Sequence, residues 1–182
     1  MKLGICGLAG LLAATLFASP TISATPTDFD CDVPADHFSS VSQAVVSPIS
    51  IKGVIDLVQL RSGNNLPVAG VRLVSTDGAN SAGFRLVASS AGAKKLDVRL
   101  NTKRGDVMKE DVAGQVDAKA TVPFALSLSS SGQVTLTVSG SSFVADFVPI
   151  GSGKAMAFCS TAQFKFTNLI FGSESSTAVA GQ

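Results

Sequence analysis

The sequence contains no tryptophan, no tyrosine and a single histidine. Hydrolysis by a serine, histidine and aspartate triad needs a histidine beside an activated serine, and no Gly-x-Ser-x-Gly segment accompanies His37. One histidine with the few cysteines present cannot complete a four-ligand zinc site. The missing aromatic residues also weaken any sugar stacking, because phenylalanine is a core residue by default. The sequence therefore predicts that His37 is structural.

Glutamate is scarce as well, with Glu110 and Glu174 as the only two. A glycoside hydrolase needs two carboxylates placed on either side of the bond that it cleaves. One glutamate lies in a charged stretch and the other near the C-terminus, so no strand carries a pair of such acids. The sequence predicts a protein that is not an enzyme.

Residues 1–24 have the pattern of a secretory signal peptide, which is removed in the mature protein. Lys2 precedes an apolar run that ends near Ala18, and Ser23-Ala24 supplies the small residues of a cleavage site. The apolar run is shorter than the roughly 20 residues of a membrane-spanning helix, which favours a cleaved signal over a membrane anchor. We therefore expect the mature chain to begin at Thr25 and to be secreted, periplasmic or at the cell surface, without stable membrane insertion.

The charge of the chain is nearly balanced, with 14 basic and 13 acidic residues. Removal of Lys2 with the signal peptide leaves 13 of each sign, so nucleic acid and anionic lipid are not expected partners. At the other end, residues 173–182 are small and polar without periodicity, which predicts a disordered tail. Residues 25–172 remain as one folded domain, long enough to bury a core.

Two cysteines, Cys31 and Cys159, remain after removal of the signal peptide. In an oxidising compartment, an even pair at opposite ends of a domain predicts a disulfide. Two separate buried thiols are the alternative, because a sequence does not show whether the two β-carbons meet.

The apolar pattern of the folded part alternates with a period of two, which is typical of half-buried antiparallel strands. The clearest example is 121–148, where two strands and the start of a third, separated by Ser/Gly turns, predict a β-meander. Residues 49–60 are apolar on both faces, which predicts a central strand. Further strands are expected at 68–75, 83–89, 94–101, 155–160 and 163–171. In the last one, Leu169 and Phe171 fall on the other parity, which indicates either a bulge or cover on both sides. The sequence predicts an all-β fold built as a single antiparallel β-sandwich.

The pattern lapses from Lys103 to Gly114, where charged residues concentrate. We expect a long loop or a short surface helix there. The segment includes Arg104-Gly105-Asp106, a tripeptide that integrins recognise, although the same triplet is ordinary turn chemistry and short motifs match often by chance.

Three aspartates, Asp28, Asp30 and Asp32, alternate with Phe29 and Cys31 near the start of the mature chain. The segment does not fit a helix-loop-helix calcium loop, which needs glycine at its sixth position and glutamate at its twelfth. A calcium site of another shape remains a hypothesis, since oxygen ligands are all that it requires. The alternative is an acidic edge strand that discourages aggregation between sheets.

The chain resembles the concanavalin A-like and laminin G-like jelly rolls over about half of its folded part, in pattern rather than in a specific motif. The resemblance rests on Phe124-x-Leu126-x-Leu128, a Ser/Gly turn, Val134-x-Leu136-x-Val138-x-Gly140 and Phe164-x-Phe166-x-Asn168-x-Ile170. It implies two curved sheets, a last strand beside the first one, and a concave face for a carbohydrate or protein. A Cys31–Cys159 bridge fits this closure. The Glu-x-Asp-x-x-Glu strand expected of glycanases with this fold is absent.

These features predict an exported, non-enzymatic β-sandwich that acts as a binding or structural module for an extracellular glycan or protein. A surface-assembly subunit of the fimbrial or coat type is the alternative, although such subunits usually join cysteines that are close in sequence. A calcium-dependent, lectin-like glycan binder is a third hypothesis, and no cofactor other than calcium is expected.

Overall fold

The computed structural model describes residues 25–172, which form twelve β-strands and contain no helix. The predicted signal peptide and the predicted tail lie outside the described residues. No helix within residues 25–172 is long and apolar enough to cross a membrane. In chain order the strands are β1 (Thr27–Asp32), β2 (Phe38–Val46), β3 (Ile49–Leu60), β4 (Val68–Ser75), β5 (Asn80–Ala88), β6 (Lys95–Arg104), β7 (Val107–Asp117), β8 (Val122–Leu128), β9 (Gln133–Val138), β10 (Ser141–Asp146), β11 (Ser152–Ser160) and β12 (Ala162–Gly172).

The strands form two six-stranded antiparallel sheets that pack face to face. Sheet A has the order β1-β12-β3-β8-β9-β10, and sheet B has the order β2-β11-β4-β5-β6-β7. The predicted all-β sandwich is therefore confirmed, with β3 in the interior of sheet A as its two apolar faces indicate.

The meander of β8, β9 and β10 shows how the alternation builds the core. Every second residue of β8 and β9 is buried, and Leu126 and Leu136 are fully enclosed. Phe124 from this meander meets Phe84 of sheet B with 5.3 Å between ring centroids. Burying such a side chain stabilises the fold by about 1.5–3 kcal/mol relative to leaving it exposed.

The last strand returns beside the first one, as the jelly-roll resemblance implies. β12 pairs with β1 on one side and with β3 on the other. Its register with β3 shifts between Thr167 and Ile170, where Asn168 has a φ of 53°. The shift brings Leu169 into the core, so the predicted bulge is confirmed.

Cys31 and Cys159 form a disulfide with a Cα–Cα distance of 6.0 Å, so the alternative of separate thiols is wrong. The bridge joins β1 of sheet A to β11 of sheet B, and both cysteines are fully buried. It therefore crosses the core between the sheets. Within sheet A, the strand beside β1 is β12.

Two strands of sheet B were not expected from the sequence. The charged stretch 103–114 is no loop or helix, because β6 continues to Arg104 and β7 occupies Val107–Asp117. The strand β2 also lies where no strand was predicted. Both are edge strands that bury few side chains, so the hydrophobic alternation is weak in them.

Candidate functional site

Three arginines share the outer face of sheet B, the face that points away from sheet A. Arg72, Arg85 and Arg99 lie on the consecutive strands β4, β5 and β6. The residues directly before and after each arginine in the chain are buried core residues, among them Leu73 and Phe84. Because successive side chains of a strand point to opposite faces, burial of these neighbours turns the arginines outward.

Two buried glycines lie on the same strands as Arg72 and Arg85. Gly70 lies opposite Arg85 on β5 and opposite Phe158 on β11, and Gly83 lies opposite Arg72. A β-carbon at Gly70 would collide with the carbonyl oxygen of Phe84 and approach the Phe158 ring to 3.2 Å. The missing side chains therefore let β4 and β5 approach each other closely, beside a groove that the arginines line.

This arginine groove has a volume of about 490 Å³, which is in the range of ligand sites. Its charged lining is Arg72, Arg85 and Arg99, and its uncharged lining includes Asn65 and Phe158. The ring of Phe158 also contacts Phe38, with 5.7 Å between centroids, and Phe38 is 59% exposed. The groove thus combines positive charge and amide groups with the largely buried Phe158, and the exposed Phe38 lies next to that ring.

Glu110 on β7 holds one side of the arginine cluster in place. Its carboxylate accepts hydrogen bonds from Arg85, from Arg99 Nη1 at 2.8 Å and from Asn101 Nδ2 at 2.6 Å. Burial alone would raise the pKa of Glu110, but the bonds from Arg99 and Arg85 lower it overall. The pKa of Arg99 is raised in turn, by its bond to Glu110 and by a second bond to Asp97.

Arg72 differs from the other two arginines because it has no carboxylate partner within residues 25–172. Its guanidinium carbon lies 5.5 Å from the centre of the Phe158 ring. Partial burial lowers the pKa of Arg72, and the charge of Arg85 lowers it further. Arg72 stays accessible to solvent, so a ligand anion can reach it.

The end of the groove is formed by the loop between β3 and β4, and Asp36 fixes this loop. Asp36 Oδ1 accepts the backbone N–H of Asn65 at 2.7 Å, and Oδ2 accepts that of Asn64 at 3.1 Å. The N–H groups of Asn64 and then Asn65 lower the pKa of Asp36. Asp36 has a φ of 62°, a conformation that aspartate tolerates better than most residues.

The three aspartates of the calcium hypothesis lie exposed on β1, which is an edge strand of sheet A. Asp28 Oδ1 accepts the Asn168 N–H at 2.9 Å, Asp30 Oδ1 accepts from Gln163 at 3.0 Å, and Asp32 Oδ1 pairs with Arg61 at 2.7 Å. The described part of the chain brings no three histidine, cysteine or acidic side chains together. The acidic edge strand is confirmed, and calcium binding stays a prediction.

The remaining sequence motifs lie away from the groove. His37 follows the turn after β1 and places Nδ1 2.8 Å from the Ala35 carbonyl oxygen. Gly105 and Asp106 form the two-residue turn between β6 and β7. Arg104 donates to the Asp146 carbonyl oxygen at 2.6 Å and lies over the Phe147 ring, so this arginine already has contacts within the chain.

A larger groove of about 680 Å³ lies at the end of β2, β4 and β11. It is lined mainly by aliphatic side chains and backbone, and its charged residues are Asp77 and Lys154. Asp77 is already bonded to the N–H of Ala79 at 3.0 Å. We favour the arginine groove because several polar groups converge there.

Sequence reasoning did not single out the arginines of the groove. They are separated by 13 and 14 positions in the chain, and only the strand register brings them together. The sequence could have indicated only that each arginine points outward, because each alternates with apolar residues on a predicted strand.

Comparisons with solved structures find the same fold at low identity. The carbohydrate-binding module CBM66 from Bacillus subtilis superposes with a TM-score of 0.51 and 11% identity, covering 81% of this chain and 92% of that one. The β-glucanase of Bacillus licheniformis superposes with a TM-score of 0.51 and 11% identity, covering 79% of this chain and 90% of that one. An alginate lyase from Alteromonas sp. 272 superposes with a TM-score of 0.50 and 11% identity, covering 78% of this chain and 81% of that one. No protein-family model and no curated protein matches the chain. The predicted resemblance to concanavalin A-like jelly rolls is confirmed as a likeness of fold.

Proposed function

We propose that this chain is an exported binding module that holds an acidic polysaccharide in the arginine groove. Arg72 is the observation that carries the proposal. Its guanidinium lies in the groove beside Arg85 and has no carboxylate partner within residues 25–172. A carboxylate or sulfate group of a ligand can supply that partner, because the planar guanidinium binds such groups through two parallel hydrogen bonds.

The surroundings of Arg72 suit a sugar chain. The exposed Phe38 offers an apolar ring face beside Phe158, which lines the groove. Asn65 at the loop end can bond to hydroxyl groups, since an amide both donates and accepts.

The class of ligand is supported by the proteins that share the fold. The three compared here are named as a carbohydrate-binding module, a β-glucanase and an alginate lyase. At 11% identity these names do not transfer residue by residue, so the choice of an acidic glycan rests on the arginines of this chain.

Binding without cleavage is the activity that we propose. The carboxylate of the groove cluster, Glu110, is bonded to Arg85, Arg99 and Asn101, and its pKa is lowered. It therefore stays ionised at neutral pH and is a poor proton donor. His37 does not line the groove, and the sequence has no tyrosine that could act as a base.

Export is supported by the disulfide, because such bridges persist mainly in oxidising compartments. Intact-mass measurement of the protein recovered from the culture medium or periplasm tests this part. We expect a chain that begins at Thr25. A product that retains residues 1–24 contradicts the export proposal.

Isothermal titration with alginate, a polyuronate, tests the binding proposal, and carboxyl-reduced alginate serves as the neutral ligand of the same backbone. We expect binding to the acidic polymer only. Arg72→Gln should weaken binding about tenfold through loss of a charged hydrogen-bonding partner. Lys52→Gln removes one positive charge from an exposed position on sheet A and should leave the affinity unchanged. Equal binding of both polymers, or full affinity of Arg72→Gln, contradicts the proposal.

A further inference from the structure

The strand β7 forms an exposed edge of sheet B. One of its sides pairs with β6, and no other strand of residues 25–172 pairs with its second side. All six residues from Val107 to Val112 are exposed. Three of them are large and apolar, with exposed fractions of 64% for Val107, 66% for Met108 and 68% for Val112. Such an edge carries unpaired backbone groups that can pair with a further strand.

The side chains of this segment complement a second copy of the same segment. When two copies of β7 pair antiparallel about a two-fold axis at Glu110, residues at equal distance before and after Glu110 face each other. Met108 then meets Val112 of the other copy on one face, and Lys109 meets Asp111 on the opposite face. Each of these contacts occurs twice, which gives two apolar pairs and two ion pairs.

Neighbouring registers do not offer this match. An axis at Lys109 or at Asp111 places two like charges directly opposite each other, which destabilises a strand pair. Unlike Glu110, neither of these residues has an ion-pair partner within residues 25–172 that could neutralise it. The regular part of β7 ends at Val112, because the register with β6 shifts there and leaves Ala113 without a partner. The segment around Glu110 is therefore both regular and complementary in charge.

The same axis places the two Glu110 side chains opposite each other. Each carboxylate is bonded to Arg85 and Arg99 of its own chain. These arginines neutralise both glutamates, so the central pair does not prevent association.

We propose that two copies of this chain pair through β7 with the two-fold axis at Glu110. The two B sheets then form one continuous antiparallel sheet of twelve strands. Because edge pairing extends a sheet without turning it over, the outer faces of both B sheets lie on the same side. The contact involves one short strand from each copy, so the dimer is weak and dissociates on dilution. This pairing does not depend on what the arginine groove binds.

Sedimentation velocity of the purified protein tests the pairing between roughly 5 and 500 µM, the range expected for a small interface. We expect a monomer at the low end and a dimer at the high end. Lys109→Asp and Asp111→Lys each oppose like charges and should weaken the dimer about tenfold. The double variant Lys109→Asp/Asp111→Lys exchanges both signs and should restore the dimer. Lys119→Asp, at an exposed position after β7, is the matched control and should dimerise normally.

A second measurement keeps the test decisive if a charge variant fails to fold. Met108→Cys/Val112→Cys should form a covalent dimer on mild oxidation, because these positions face each other across the axis. Met108→Cys alone should not, since its counterpart then remains valine. A protein that stays monomeric at the highest concentration, a double charge variant as weak as the single ones, or the absence of the covalent dimer overturns the proposal.

Discussion

Arg99 Nη1 lies 2.8 Å from Glu110 Oε1, and this contact joins the last two strands of sheet B on its outer face. The pKa of Glu110 in the folded protein is below its usual value of 4.5. The stabilisation from this carboxylate is therefore complete above about pH 4.5 and is lost as the pH falls through the lowered value. We expect Glu110→Gln to reduce the free energy of unfolding by about 1 kcal/mol at pH 7, since the group is partly exposed, and to reduce it less at pH 3.

Urea unfolding at several pH values between 7 and 3 measures this difference. Other carboxylates also titrate in this range, so the informative quantity is the difference in the free energy of unfolding between the native chain and the variant. Asp106→Asn is the control, because Asp106 forms no ion pair in the described chain. A difference in the free energy of unfolding that stays constant down to pH 3 would show that the Glu110 bonds do not respond to protonation.

Asp36 gives a second prediction, since it fixes the loop at the end of the groove. Asp36→Asn keeps a side chain that tolerates the positive φ but removes one of the two accepting oxygens. The backbone N–H groups of Asn64 and Asn65 then share a single acceptor. We expect faster amide hydrogen exchange at Asn64 or Asn65, with protection in the core strands unchanged. Unchanged exchange at both amides would contradict the role given to Asp36.

The strands that could be predicted from the sequence are those with one buried face. In β8 the burial of Phe124 and Leu126 produces the alternation that marks a strand. In β7 no such signal exists, because both faces of Val107–Val112 are exposed. The edge strand β2 buries only Val45 and was missed for the same reason. Hydrophobic patterning reports burial, so it finds interior strands and fails at edges.

The candidate site was harder to predict than the fold. Arg72, Arg85 and Arg99 come from three strands, and their proximity depends on the strand order and register. Glu110, which joins two of them, lies in a segment expected to be a loop or a short surface helix. Phenylalanine was expected to be a core residue by default, which holds for Phe84, whereas Phe38 is exposed. The odd or even position of a residue in a strand shows which face of the sheet it lies on. Which residues lie next to it on that face depends on the strand order and register of the whole fold.

Gly70 tests whether the close approach of β4 and β5 requires a residue without a side chain. In Gly70→Ala the new β-carbon collides with the Phe84 carbonyl oxygen on the neighbouring strand. The backbone has to shift, so we expect a loss of about 1–3 kcal/mol in the free energy of unfolding, measured in urea. Gly92→Ala is the matched control, because a β-carbon at Gly92 meets no atom within 4 Å. Equal stability of the two variants would mean that the approach of β4 and β5 is less tight than described.

The disulfide gives the last prediction, because it joins the two sheets across the core. Cys31 and Cys159 are fully buried and enclose a separation of 128 residues. A reductant cannot reach the bridge in the folded protein, so we expect dithiothreitol to reduce it rapidly only when urea is added. Loss of so long a cross-link frees the unfolded chain and should lower stability by up to about 5 kcal/mol. The two sheets also pack on each other through a common apolar core. The far-ultraviolet circular dichroism of Cys31→Ala/Cys159→Ala should therefore match that of the native chain at room temperature, while its melting temperature falls. Rapid alkylation of both thiols after reduction without urea, or an unchanged melting temperature of the double variant, would contradict this account of the bridge.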